Sequence, residues 1–194
     1  MHDAGVGRLL VASLHQGIAD LLPTRLEFYE SWLNSSGLRD GRIGLAPLAA
    51  VLSFLRSEGE PYYLVAARAG EYTAEWSVAE VAPWYRAFLQ LMPPAIRTRL
   101  VLRLAQQMIR STYGGSRVLV RRGKDGNRVD IRGSVFCEVR EAVAQPLCEY
   151  YAAALRRLMR LFQLDVELQI ESCRGAGGTY CLMTMLVRPT PVAA

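Results

Sequence analysis

Val166-Glu167-Leu168-Gln169-Ile170-Glu171-Ser172-Cys173-Arg174-Gly175-Ala176-Gly177-Gly178-Thr179-Tyr180-Cys181 is the stretch that decides the fold class of this 194-residue chain. Val166, Leu168 and Ile170 alternate with Glu167, Gln169 and Glu171, the period of two that a half-buried strand imposes. The glycine-rich run then turns the chain, and Leu182 to Val187 returns, which predicts an antiparallel hairpin. Upstream, Leu147, Tyr150, Tyr151, Ala154, Leu155, Leu158, Leu161 and Phe162 recur at helical spacing. They predict a long helix over 146–163, with Pro146 in its first turn and Arg156, Arg157 and Arg160 on its wet side. Before that, strands at 117–122 and 128–131, the second continuing toward Val135-Phe136, flank Gly123-Lys124-Asp125-Gly126-Asn127. That run is a hairpin turn, because Asp-Gly and Asn tolerate positive φ. The order is therefore hairpin, helix, hairpin.

Working outward, the first half reads as mainly helical. Helices are predicted at 7–22, at 24–33 with Asn34-Ser35-Ser36-Gly37 as the stop, and at 46–57 after a Gly41–Gly44 loop. Two more follow at 79–91 and 94–111, the last with a stripe of Ile96, Leu100, Leu104 and Met108. Residues 62–67 look like a buried strand, with 72–78 as a weaker partner. Pro189 and Pro191 close the chain as a short tail. The expectation is one α+β domain over 1–194, with helices packed on an antiparallel sheet. Residues 1–112 form the helical half and 113–188 carry the hairpin-helix-hairpin unit.

Apolar residues make up 51% of the chain and charged residues 21%, which is ordinary globular composition with ample material for a core. Lys124 is the only lysine, so the formal charge of +5 rests on arginine. The arginines are spread over the whole chain rather than clustered with aromatics, which argues against a nucleic-acid groove. A surface that steers an anionic ligand fits the charge equally. The start of the chain lacks the pattern of a secretory signal, and no run of about eighteen apolar residues exists to span a membrane. Four cysteines without such a signal point to the cytoplasm, as reduced thiols or metal ligands rather than disulfides.

Cys173 and Cys181 lie at the two ends of the last turn, and Cys148 at the start of the long helix, where the helix N-terminus favours thiolate. Three thiolates converging from a helix start and a hairpin suit zinc. A closed structural site needs a fourth ligand. Glu171 shares strand parity with Cys173, and Cys137 is the other candidate, although a buried strand thiol is a sufficient role for it. Three buried thiols are also what plain packing produces.

These segments resemble a known family. Arg132-Gly133-Ser134-Val135-Phe136-Cys137, Pro146-Leu147-Cys148-Glu149-Tyr150-Tyr151 and the Glu171–Cys181 hairpin look like the 4-vinyl-reductase domain over about residues 113–188. The resemblance implies a TRAPP-like fold, after the vesicle-tethering subunits. It also implies bacterial relatives, one tied to bacteriochlorophyll synthesis and others acting as sensor domains of aromatic-responsive regulators. In the sensors a zinc held by three cysteines and a glutamate lies beside a small-molecule pocket. By that resemblance the ligands fall on Cys148, Cys173, Cys181 and Glu171. The sensors place the glutamate three residues before the middle cysteine, where this chain has Ile170.

The function that follows is binding or sensing of a small hydrophobic, aromatic or tetrapyrrole molecule, without catalysis, beside a structural zinc. Alternatives are an enzyme or accessory carrier of tetrapyrrole biosynthesis and a TRAPP-like interaction scaffold. The partners expected are a small hydrophobic molecule and either a second copy or a separate protein. Trp84 and Tyr85 are the candidate ligand-binding aromatics. No nicotinamide or flavin motif and no defensible Ser-His-Asp order is present. The glycines of 175–178 lack the Lys-Ser/Thr of a phosphate loop.

Overall fold

The computed structural model describes residues 6–33, 44–123 and 126–189. The stop at Asn34-Ser35-Ser36-Gly37, the loop at 41–43, the turn residues Lys124 and Asp125, Pro191 and the first five residues lie outside them. Among the described residues, helices α1 (Arg8–Leu21), α2 (Leu26–Leu33), α3 (Leu45–Ser57), α4 (Glu60–Ala79), α5 (Pro83–Leu91) and α6 (Pro94–Thr112) precede strands β1 (Arg117–Gly123) and β2 (Gly126–Arg132). Helix α7 (Glu149–Leu161) and strands β3 (Leu164–Ser172) and β4 (Cys181–Pro189) complete the chain. The fold is α+β, and all four strands join one antiparallel sheet in the order β1-β2-β4-β3. The two hairpins are thus stitched together through β2 and β4, with Ile131 opposite Cys181.

One face of the sheet is wet and the other packs on helices, the usual arrangement of an antiparallel sheet. Val118, Val129, Ile131, Val166, Met183 and Met185 are buried, while Glu167, Gln169 and Glu171 are exposed. Buried residues of both halves form one hydrophobic cluster, from Leu10 and Leu14 of α1 to Met183 and Met185 of β4. Helix α7 lies between α4 and β3 and buries Tyr150 through Leu155 without interruption. Its Tyr150 hydroxyl lies 2.6 Å from Thr73 Oγ1 of α4. Thr73 in turn donates to Ser13 of α1 at 2.9 Å, so one buried polar chain ties three helices. The approach of α4 to α7 is close: a Cβ at Gly70 would sit 2.1 Å from the Tyr150 carbonyl oxygen.

Four sequence expectations need correction. The strands expected at 62–67 and 72–78 are both parts of α4. A short apolar run does not separate a buried strand from a buried helix. Pro61 in the first turn and buried Tyr62, Val65, Ala66, Ala69, Gly70 and Thr73 at three- and four-residue spacing decide for helix. The helix expected from 79 begins at Pro83 instead, because a proline disfavours helical geometry in the residue before it, and Ala82 is extended at ψ 134°. The stripe of α6 is rotated: Val101, Leu102, Ala105, Met108, Ile109 and Thr112 are buried, and Ile96 is exposed. Finally, Val135-Phe136 does not extend β2. Gly133, at φ 70°, turns the chain, and Val135–Cys137 form a single 3-10 turn.

Candidate metal centre

Four segments converge beneath the end of the sheet. The 3-10 turn after β2 delivers Cys137, and Cys148 occupies the position just before α7. Cys173 follows β3, and Cys181 opens β4. All four side chains are buried, and all four sulfur atoms lie within 4.8 Å of one another. Cys148 and Cys173 are 3.0 Å apart, Cys137 is 3.4 Å from Cys148 and from Cys181, and Cys137 and Cys173 are 3.5 Å apart. A disulfide needs about 2.05 Å, so these are free thiols. A zinc–sulfur bond of about 2.3 Å sets the edge of a four-sulfur tetrahedron near 3.8 Å. Four of the sulfur pairs are shorter than that edge and the whole group spans no more than 4.8 Å, so it brackets the edge and could hold a single tetrahedral ion.

Local structure explains why the sulfurs meet. The 3-10 turn Arg174–Ala176 ends at Gly177, whose φ of 89° is left-handed and suited to glycine. The Ala176 and Gly178 N–H groups both donate to the Cys173 carbonyl, folding the turn back on the cysteine. Across from it the Leu147 N–H donates to Cys173 Sγ at 3.2 Å. Tyr62 of α4 donates to the Leu147 carbonyl at 3.0 Å, and the Val143 N–H donates to the Gly175 carbonyl at 2.8 Å.

The electrostatics follow from crowding. Four thiolates within 4.8 Å repel one another without a cation among them. Cys173 is held well below the usual thiol range by hydrogen bonds from Cys137, Cys148 and the Leu147 N–H. Cys148 is pushed far up, first by its bonding with Cys137 and then with Cys173, because it serves as a proton donor. The helix start at Cys148 thus acts together with proton sharing inside the cluster. A divalent ion bound there would replace the shared protons and cancel the repulsion.

The structure brings Cys148, Cys173 and Cys181 together as the spacing suggested, and adds Cys137. Glu171 lies outside the group. Glu171 keeps the exposed face of Glu167 and Gln169 and accepts a hydrogen bond from Thr184, while a bulge between Ile170 and Ser172 breaks the parity it would share with Cys173. Cys173 becomes buried only beyond that bulge. Trp84 and Tyr85 stand on α5; their rings are 5.6 Å apart, and Trp84 is 73% exposed. Neither lines a described cavity. Ser77, Val78, Val81, Leu104, Met108 and Leu158 instead line a cavity of about 260 Å³ among α4, α6 and α7. A wider open groove of about 670 Å³ runs past Tyr63, Leu64 and Val143.

No family model matches the chain. No curated protein matches it either. No helix among the described residues is long and apolar enough to cross a membrane.

Proposed function

We propose that this chain is a small-molecule-binding domain of the 4-vinyl-reductase type, stabilised by one zinc ion on Cys137, Cys148, Cys173 and Cys181. The observation that carries the reading is the buried four-sulfur group at the head of α7. The ion is structural, since a four-thiolate shell leaves no open position for substrate. Helix α7 links the two parts of the proposal. Cys148 precedes its first turn, and Leu158, ten residues on and roughly 15 Å along the axis, lines the 260 Å³ cavity. That cavity combines Val81, Leu104, Met108 and Leu158 with the polar Ser77, Glu80, Gln107 and Ser111. Polar and apolar side chains thus share the lining about equally, at a size suited to a single-ring aromatic molecule that carries a polar substituent.

Metal analysis and a binding assay test the two parts separately. Protein purified without chelator is expected to carry one zinc per chain, and Cys148→Ser to lose it. Phenol is expected to raise the melting temperature of the wild type. Leu104→Trp, which fills the cavity, should abolish that rise while retaining zinc. Absence of zinc in the wild type removes the metal reading, and a phenol response unaffected by Leu104→Trp removes the cavity. The tetrapyrrole reading is favoured only by the open groove beside Tyr63 and Leu64, and absorbance titration with a porphyrin decides it.

A further inference from the structure

The arginines are less evenly distributed than they first look. Residues 81–123 contain eight arginines and no aspartate or glutamate, although the chain has 18 acidic residues. This segment alone carries +8, leaving the remainder of the chain at −3 within a total of +5. It comprises α5, α6 and the edge strand β1.

Helix α5 is the least embedded part of this segment. Leu89 is its only buried residue. Trp84, Ala87, Phe88 and Leu91 recur at three- and four-residue spacing and are all exposed, with Trp84 at 73% and Leu91 at 82%. No other large apolar side chain among the described residues exceeds 54%. Ile96 continues the apolar exposure into the first turn of α6. Arg99, Arg103 and Arg110 then follow on the exposed side of α6, opposite its buried Val101, Ala105 and Met108. Among the described residues none of these three arginines has an ion-pair partner.

We infer that α5 and the start of α6 form a membrane-surface element that docks on an anionic lipid bilayer. Exposed tryptophan, phenylalanine and leucine on one face of a short helix enter the headgroup boundary, and flanking arginines meet the anionic headgroups. Charge decides against a second copy as the occupant. A self-complementary contact would bring two α5–α6 segments face to face, each with five arginines and no acidic residue. A nucleic acid would satisfy the arginines but leaves the Trp84–Leu91 face without an apolar partner. The element lies in the interface plane, consistent with the absence of a spanning helix among the described residues.

Co-sedimentation of the full chain with lipid vesicles tests the inference. Binding is expected to vesicles of phosphatidylcholine with phosphatidylserine, to be much weaker to pure phosphatidylcholine, and to fall as salt is raised. Trp84→Ser with Leu91→Ser should abolish it. At about fivefold per arginine, Arg99→Gln with Arg103→Gln should weaken it by on the order of 30-fold. All four positions are exposed, so both variants should keep the wild-type circular dichroism spectrum and metal content. Failure to sediment with anionic vesicles at low salt overturns the proposal, as does binding that ignores either pair of substitutions. A dimer in light scattering that Leu91→Ser dissociates, or duplex DNA binding without vesicle binding, reassigns the face and equally overturns it.

Discussion

Replacing Cys137 by serine separates the four-sulfur site from a three-cysteine, one-glutamate site. The Cys137 sulfur lies 3.4–3.5 Å from each of the other three, so its loss opens one vertex of the tetrahedron. Disturbing a mere outer-shell partner of a bound metal lowers affinity about 10–100-fold, and deleting a ligand should reach at least the upper end. Metal stabilises the folded chain by RT ln(1 + [L]/Kd), so a hundredfold loss removes about 2.7 kcal/mol when zinc is in excess. For a chain of this size that corresponds to roughly 5–11 °C in melting temperature. The assay is differential scanning calorimetry with and without chelator, alongside zinc content. The expected result is a wild type that melts higher with zinc than with chelator, and a Cys137→Ser variant that barely responds. If packing alone were at stake, the variant would melt lower by the same amount in both conditions. Glu171→Gln is the matched control. Exposed and, among the described residues, bonded through its side chain to Thr184, it should move stability by no more than about 0.5 kcal/mol and leave the zinc content at the wild-type level. Full zinc in Cys137→Ser, or zinc lost in Glu171→Gln, refutes the four-cysteine assignment.

Gly70→Ala should destabilise, because the new methyl would lie 2.1 Å from the Tyr150 carbonyl and force α4 away from α7. Overpacking of this kind costs about 1–3 kcal/mol, more than the up to about 1 kcal/mol that alanine gains over glycine in a helix, and an unchanged urea midpoint would contradict it. Burial pushes Tyr150 up to about 12 and Tyr62 well above its usual value, so the folded chain keeps protons that the unfolded chain loses from about pH 10. Stability should therefore be insensitive to these groups below pH ~10 and fall as pH rises toward 12, measured as a declining urea midpoint over that window. Chelation should open the irregular segment 138–147 to hydrogen exchange before α1, α4 and α7, and uniform loss of protection would count against a local metal clamp.

The C-terminal half was legible because its signals are periodic and local. Alternation in 166–171, the helical spacing from Tyr150 to Phe162 and the turn chemistry at 123–127 each need no knowledge of distant contacts. The pairing of β2 with β4 was not legible, since it depends on where two hairpins meet. Helix α4 was misread because Tyr62–Ala67 is apolar all round, as befits a helix packed against α1, α3 and α7, and periodicity carries no information there. At the site, three cysteines were recoverable from their places at a helix start and a hairpin. The fourth was obscured by two backbone irregularities. Gly133 swings Cys137 out of the strand that would have carried it elsewhere, and the bulge between Ile170 and Ser172 turns Cys173 inward while Glu171 stays on the wet face. Parity arguments hold only while the ladder is regular.

The position of the cluster also shows what a metal there would add to a chain with a large core. The helical half and the sheet share one hydrophobic cluster, so the fold does not depend on an ion for its main stability. Residues 138–148 are different. They connect the turn after β2 to the head of α7 without helix or strand, and their side chains are largely exposed apart from Leu147 and Cys148. Such a segment gains little from apolar burial and has few backbone bonds of its own. Cysteines at its two ends, Cys137 and Cys148, meet Cys173 and Cys181 from the other hairpin. One ion on all four would fix both ends of the loop and the head of α7 against the sheet. A clamp at that point would hold α7 in register with α4, where Gly70 leaves no slack, and so set the shape of the cavity that Leu158 lines at its far end.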